Sequence, residues 1–141
     1  MSFRIDASEI DAFGTKLGAA GGLIQNALQT ANQQIVTQGV ALAQGNAPRR
    51  DGVLAGSIQP IGGVSAAGGE FGTSVIYAWM REVGGTITGN PWLVFQIGGR
   101  WVRTRSVTQT GTHYMARSAR ELEPFAMMAW GRAIERVWDG V

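Results

Sequence analysis

Apolar and polar positions alternate at the start of the chain, where Phe3 and Ile5 are interleaved with Arg4 and Asp6. A period of two predicts a short edge strand. The period then lengthens: Ile10, Phe13 and Leu17 recur at helical spacing, with Ser8 placed to cap the helix and Asp11 three residues on. Gly18, Gly21 and Gly22 predict a break or kink. From Leu23 to Gln44 the pattern is helical again. Ile24, Leu28, Ala31, Ile35 and Leu42 form one stripe, Gly39 fills its gap, and Ala27, Val40 and Ala43 widen it. Such a helix is about 33 Å long. Pro48 stops it, because the residue before a proline is pushed out of the helical region.

Beyond Pro48 the elements shorten. Val53 to Ser57 predicts a single turn, which Asp51 is placed to cap. Strands are expected over Ser57–Ile61 and Glu70–Tyr77, with a glycine-rich tip between them and Pro60 holding the first at a sheet edge. The stretch WLVFQIGGRWVRTRSV, residues 92–107, predicts a hairpin turning at Gly98-Gly99. Pairing across that turn places Leu93, Phe95, Ile97 and Val102 on one face, read as core, with Thr104 and Arg100 at its ends. Trp92, Val94, Gln96, Trp101, Arg103 and Arg105 take the other. Residues 108–120 show no clean period and predict a loop or extended arm. A last helix is expected from Glu123-Pro124, with Met127, Trp130, Ile134 and Val137 inward and Arg132, Glu135, Arg136 and Asp139 outward. The fold class that follows is α+β: an antiparallel sheet with a β-hairpin, packed by a long helix from the N-terminal half and a C-terminal helix.

Length and composition refine this picture. The 141 residues fit a single domain spanning 1–141. Apolar residues, at 45 %, suffice for a core, whereas charged residues, at 16 %, fall well below the usual quarter or so. With 21 glycines as well, the surface points to cover by partners, or to a domain that is simply low in charge. No cysteine is present, so thiolate chemistry and cysteine metal sites are out. No apolar run approaches the roughly 18 residues of a membrane span, and the N-terminal stretch does not read as a signal peptide.

The long helix carries no charge between Lys16 and Arg49. Its polar face is Gln25, Gln29, Asn32, Gln33 and Thr37. Amides and hydroxyls there suit burial against another protein, and equally a plain polar surface. The single histidine, His113, is expected to make ordinary loop hydrogen bonds, and Glu121 and Glu123 to favour a helix N-terminus. The glycines at 62, 63, 68 and 69 lack phosphate-loop spacing. No catalytic, cofactor or metal site is expected. Basic charge is concentrated instead. Arg100, Arg103, Arg105, Arg117 and Arg120 lie in a span without an acid from Glu82 to Glu121. With Trp92 and Trp101 between them, they suit a protein interface rich in tryptophan and arginine, or the tracking of phosphates.

Several stretches together resemble one family. NAPRRDGVLAGSI, residues 46–58, is similar to the AP-x-x-(T/D)-G-x-L-x-x-SI corner of the minor tail components, the tail-completion or neck proteins of long-tailed double-stranded DNA bacteriophages. Ala47, Pro48, Gly52, Leu54, Ser57 and Ile58 match that pattern. VIYAWMREVGGT, residues 75–86, resembles the family's V-x-YA-x-x-x-E-x-GT stretch through Tyr77, Ala78, Glu82 and Gly84, with Thr86 one place later after Gly85. FRIDASEIDAF resembles its opening strand and helix, and EPFAMMAWGRAIERV its Pro-Phe segment and terminal helix. Trp79 stands where the family often has proline, and the 108–120 arm is a further departure.

This resemblance implies a virion structural protein at the head–tail junction, made in the host cytoplasm, with no enzymatic reaction and no cofactor. It implies a homo-oligomeric ring, six-fold by preference, that completes or connects the tail. Its neighbours would be head-closure, tail-terminator or tail-tube proteins, with packaged DNA in the channel and no membrane. A tail terminator or head-closure protein of the same neck is the nearest alternative; a small nucleic-acid-binding protein is one of another class. The residues expected at interfaces are Trp92, Trp101, Arg103, Arg105, the corner arginines Arg49 and Arg50, and Gln25, Gln29 and Gln33.

Overall fold

The computed structural model describes residues 1–16, 19–49, 52–75 and 77–139. Along the chain run β1 (Ser2–Asp6), α1 (Ser8–Lys16), α2 (Ala19–Asn46), α3 (Val53–Ser57), β2 (Gln59–Ser65), β3 (Gly68–Gly72), α4 (Ala78–Val83), β4 (Gly84–Ile97), β5 (Arg100–Thr110) and α5 (Tyr114–Asp139). The architecture is α+β, as the patterning predicts. One antiparallel sheet has the order β1-β3-β2, and a second consists of β4 and β5 alone.

The core forms where three elements meet. Phe71 of the central strand β3 is buried, with the Phe3 ring tilted against it at 5.6 Å. Above it, α2 carries glycine at position 39. A Cβ there would lie 2.7 Å from Phe71 Cζ and 3.0 Å from Leu122 Cδ2 of α5. Gly39 therefore lets sheet, α2 and α5 converge on one point. Along the rest of their contact the two helices approach through small residues, Ala31 and Ala43 on α2 and Ala126, Ala129 and Ala133 on α5, all buried.

The corner after α2 is tied inward. Gln44 Nε2 donates to the Ile58 carbonyl at 3.0 Å, and Ser57 Oγ donates to the Leu54 carbonyl at 2.6 Å. Ser57 Oγ also shares a 2.6 Å hydrogen bond with Thr73 Oγ1. Ala47, Leu54 and Ile58 are buried beneath it. Asp51, expected as the cap of this turn, lies outside the described residues.

Several expectations are corrected. The side chain capping α1 belongs to Asp6, whose Oδ1 accepts the Ser8 N–H at 2.9 Å, while Ser8 is already helical. Hydrogen bonds from the Ser8 side chain and backbone hold the Asp6 carboxyl below its usual range. Gly21 and Gly22, expected at a break, lie within α2, and Gly18 lies outside the described residues. β3 stops at Gly72 rather than Tyr77, and Tyr77 precedes an unexpected helix, α4. The glycines of the expected tip belong to β2 and β3, which turn at Ala66-Ala67.

The 108–120 arm does not exist as such. β5 runs to Thr110 and α5 begins at Tyr114, nine residues before Glu123. Pro124 therefore sits inside the helix, and Glu121 and Glu123 are not at its N-terminus. Burial of Tyr114, Met115, Ser118 and Leu122 outweighs the weak local pattern. The inward stripe is partly displaced: Met127 is 65 % exposed and Ile134 38 %, Trp130 and Val137 are half-buried with Trp130 against the core, and the buried positions are the alanines. Arg132, Glu135, Arg136 and Asp139 are exposed, as expected.

Candidate docking interface

The β4–β5 ribbon leaves the main body through a narrow base. Gly84 has φ 77°, and a Cβ on it would lie 2.5 Å from Gly111 N, so the outgoing and returning chains touch. Thr112 fastens the return, donating to the Arg81 carbonyl from N at 2.8 Å and from Oγ1 at 2.9 Å. His113, at φ 51°, donates its N–H to the Glu82 carbonyl at 3.0 Å, a structural role in keeping with an ordinary loop histidine. The buried Glu82 carboxylate then accepts the N–H groups of Met115 at 2.8 Å and Ala116 at 3.1 Å. These are orphan donors of the first turn of α5, where negative charge is favoured. Burial, and secondarily the Glu82 charge, pushes the neighbouring Tyr114 phenol up to about 12.

The ribbon has the register that the Gly98-Gly99 turn dictates. Both glycines have positive φ, 57° and 79°, as a two-residue type I′ turn requires. Ile97 opposes Arg100, Gln96 opposes Trp101, Phe95 opposes Val102 and Val94 opposes Arg103. Further down, Thr88 opposes Ser106 and Leu93 opposes Thr104, so residues 89–92 bulge against Arg105 alone. The bulge brings Trp92 under two guanidinium groups, Arg103 at 4.8 Å and Arg105 at 5.2 Å from its ring centroid. Stacking of this kind orders an arginine without neutralising it. No carboxylate of the described residues pairs with Arg100, Arg103 or Arg105; the one ion pair found there is Arg4 with Glu70 at 3.5 Å. Trp101 is 72 % exposed and Val94 61 %.

The opposite face is not core. Leu93, Phe95 and Val102 are half-buried and stand apart from the buried cluster of the body, and the Ile97 side chain lies outside what is described. The reason lies in the connections: the ribbon's main contact with the body is with α4, at its own base.

The other expected interface residues are scattered. Arg49 is exposed at the corner, its Nη2 donating to the Gln44 carbonyl at 3.1 Å near the end of α2. Arg50 lies outside the described residues. The amide row of α2 divides. Gln33 is exposed, Gln25 is half-buried, and Gln29 Nε2 donates to the Val64 carbonyl at 3.4 Å. Asn32, expected on the same outer face, is fully buried. Its Nδ2 donates to the carbonyls of Ser65 at 2.8 Å and Ala66 at 3.1 Å, and its Oδ1 accepts Trp130 Nε1–H at 2.7 Å. Arg117 and Arg120 belong to α5 rather than the ribbon, and Arg117 Nη2 donates to the Asn46 carbonyl at 3.3 Å.

Met128 and Trp138, which the sequence did not single out, and Met127, expected inward, are all exposed on α5. An apolar count that let alanines form the inner stripe would have found them. Among the described residues no helix is long and apolar enough to cross a membrane, and no group of three or more His, Asp or Glu side chains could hold a metal ion. Comparison with family models, curated proteins and solved structures finds no match.

Proposed function

We propose that this chain is a structural subunit of a tailed-bacteriophage virion, one copy of a ring at the head–tail junction that completes or connects the tail. The observation that carries this reading is the ribbon. A two-stranded sheet is marginal alone. This one stands off the body with Trp101, Val94 and three unneutralised guanidinium groups outward, which is a surface built for contact. The resemblance of residues 46–58 and 75–86 to neck proteins supplies the setting. No reaction is part of the proposal.

Particle assembly tests it. Arg103→Glu combined with Arg105→Glu reverses charge on exposed side chains, so the subunit should fold while heads and tails no longer join. A double variant that folds normally and joins particles at the wild-type yield defeats the proposal. Strong, salt-dependent binding of duplex DNA by the purified wild-type chain, abolished in the double variant, would replace it with a nucleic-acid role.

A further inference from the structure

The ribbon needs a surface to meet, and the body offers one that its own ribbon does not use. Along the outer side of β1 runs a groove of about 310 Å³ between that strand and α5. Its floor is apolar, with Ile5, Leu122 and Ala126 buried and Met127 exposed at the lip. Asp6 and Glu123 supply carboxylates on its two banks. Arg120 shares the α5 bank, and Arg4 on the strand is drawn to Glu70 at 3.5 Å.

The two edges of the three-stranded sheet differ. β2 carries Pro60 and an irregular register between Ile61 and Ser65, features that blunt an edge against further pairing. β1 has neither: its pairing with β3 runs unbroken from Ser2 to Asp6, and its outer edge has no strand partner among the described residues. An incoming strand beside β1 would cover Met127 from above. The ribbon is such a strand, with open edges of its own, an apolar and aromatic face, and arginines able to pair with Asp6 and Glu123. Its base is pinned by Gly84, Gly111 and Thr112, and no residue of the ribbon lines this groove.

We infer that the β4–β5 ribbon of one copy docks in the β1–α5 groove of the next, adding to the β1 edge with Trp101 against Met127 and Arg103 or Arg105 against Glu123 and Asp6. The inference deepens the ring proposal and rests on it, because a contact between two different surfaces of the same chain propagates by rotation into a ring or a filament.

The absence of cysteine allows a direct test by cross-linking. Val94→Cys and Met127→Cys are made separately, both at exposed positions, with Val94→Cys paired with Glu135→Cys as the control. Under oxidation, concentrated full-length protein and assembled particles should yield the mixed Val94–Met127 dimer well above the control pair. Adding Glu123→Arg to the Met127→Cys chain should lower that yield several-fold. The double variant, with both cysteines on one chain, should give a covalent ladder. No mixed dimer above the control in either sample overturns the contact. So does duplex DNA binding by the ribbon without a cross-link. If the mixed dimer is absent while Arg103→Glu with Arg105→Glu still blocks joining, this contact fails and the ring proposal survives.

Discussion

Replacing Asn32 should cost more stability than replacing any other polar residue of α2. Its amide joins three elements: Trp130 of α5 donates to Oδ1 at 2.7 Å, and Nδ2 serves the Ser65 and Ala66 carbonyls at 2.8 and 3.1 Å. Asn32→Leu keeps the branched side-chain skeleton, though it is bulkier, and removes all three bonds. The indole N–H points at a fully buried neighbour, so losing its acceptor costs about 2 kcal/mol. The two carbonyls lie at a partly exposed turn where water can reach them, and each loses about 1 kcal/mol. The sum is about 4 kcal/mol, against a typical total stability of about 5–15 kcal/mol. Asn32→Asp has nearly the same shape but turns a second acceptor toward two carbonyls, so at pH 7 it should be at least as damaging. Trp130→Phe should cost less, since it breaks one bond only. Denaturant unfolding followed by far-ultraviolet circular dichroism measures all three, and the Asn32→Leu/Trp130→Phe cycle isolates the shared bond at about 1–2 kcal/mol. An Asn32→Leu loss below about 1 kcal/mol, or an Asn32→Asp protein as stable as the parent, would refute this reasoning.

Gly39→Ala should gain about 1 kcal/mol of helix propensity yet lose more through overpacking against Phe71 and Leu122, so the unfolding midpoint should fall. Glu82→Ala leaves the Met115 and Ala116 N–H groups without their acceptor and should cost about 2–4 kcal/mol, with amide exchange rising first in the opening turn of α5. The Tyr114 hydroxyl is buried with no hydrogen-bond partner among the described residues, so Tyr114→Phe should leave stability at pH 7 unchanged or raise it by up to about 1 kcal/mol in a denaturant titration. Because that phenol is held up to about 12 from 10.0, the unfolded chain releases its proton first as pH rises. The stabilisation is therefore complete below pH 10 and is lost on the way to about 12, a slope that Tyr114→Phe should abolish.

What could be read from the sequence was what neighbours in the sequence decide. The β1 alternation, the α2 stripe, the Pro48 stop and the turn at Gly98-Gly99 each depend on residues a few places apart, and each forms as its pattern requires. The grouping of Trp92 with Arg103 and Arg105 was expected from the register of that turn, and it holds although residues 89–92 bulge. The start of α5 was hidden because its capping carboxylate, Glu82, lies 33 residues upstream of Met115. Asn32 passed for a surface amide because its indole partner lies 98 residues away. The ribbon's apolar face passed for core because alternation reports that one side of a strand is drier than the other, not which body covers it. Alanine misled most on α5. Close helix packing selects for small side chains, so the inner face is less hydrophobic per residue than the exposed one carrying Met127 and Trp138.

Glu82 has a mechanical consequence. Its backbone carbonyl holds the returning foot of the ribbon and its carboxylate holds the head of α5, so one residue is the joint between a blade and a shaft. The shaft has 26 residues, about 39 Å end to end. It is bedded against α2 through its buried alanines, and Trp138 stands exposed near its far end. Glu82→Ala should therefore separate the two duties: the head of the shaft loosens, while the foot of the blade stays fastened through the main-chain bonds of Thr112 and His113.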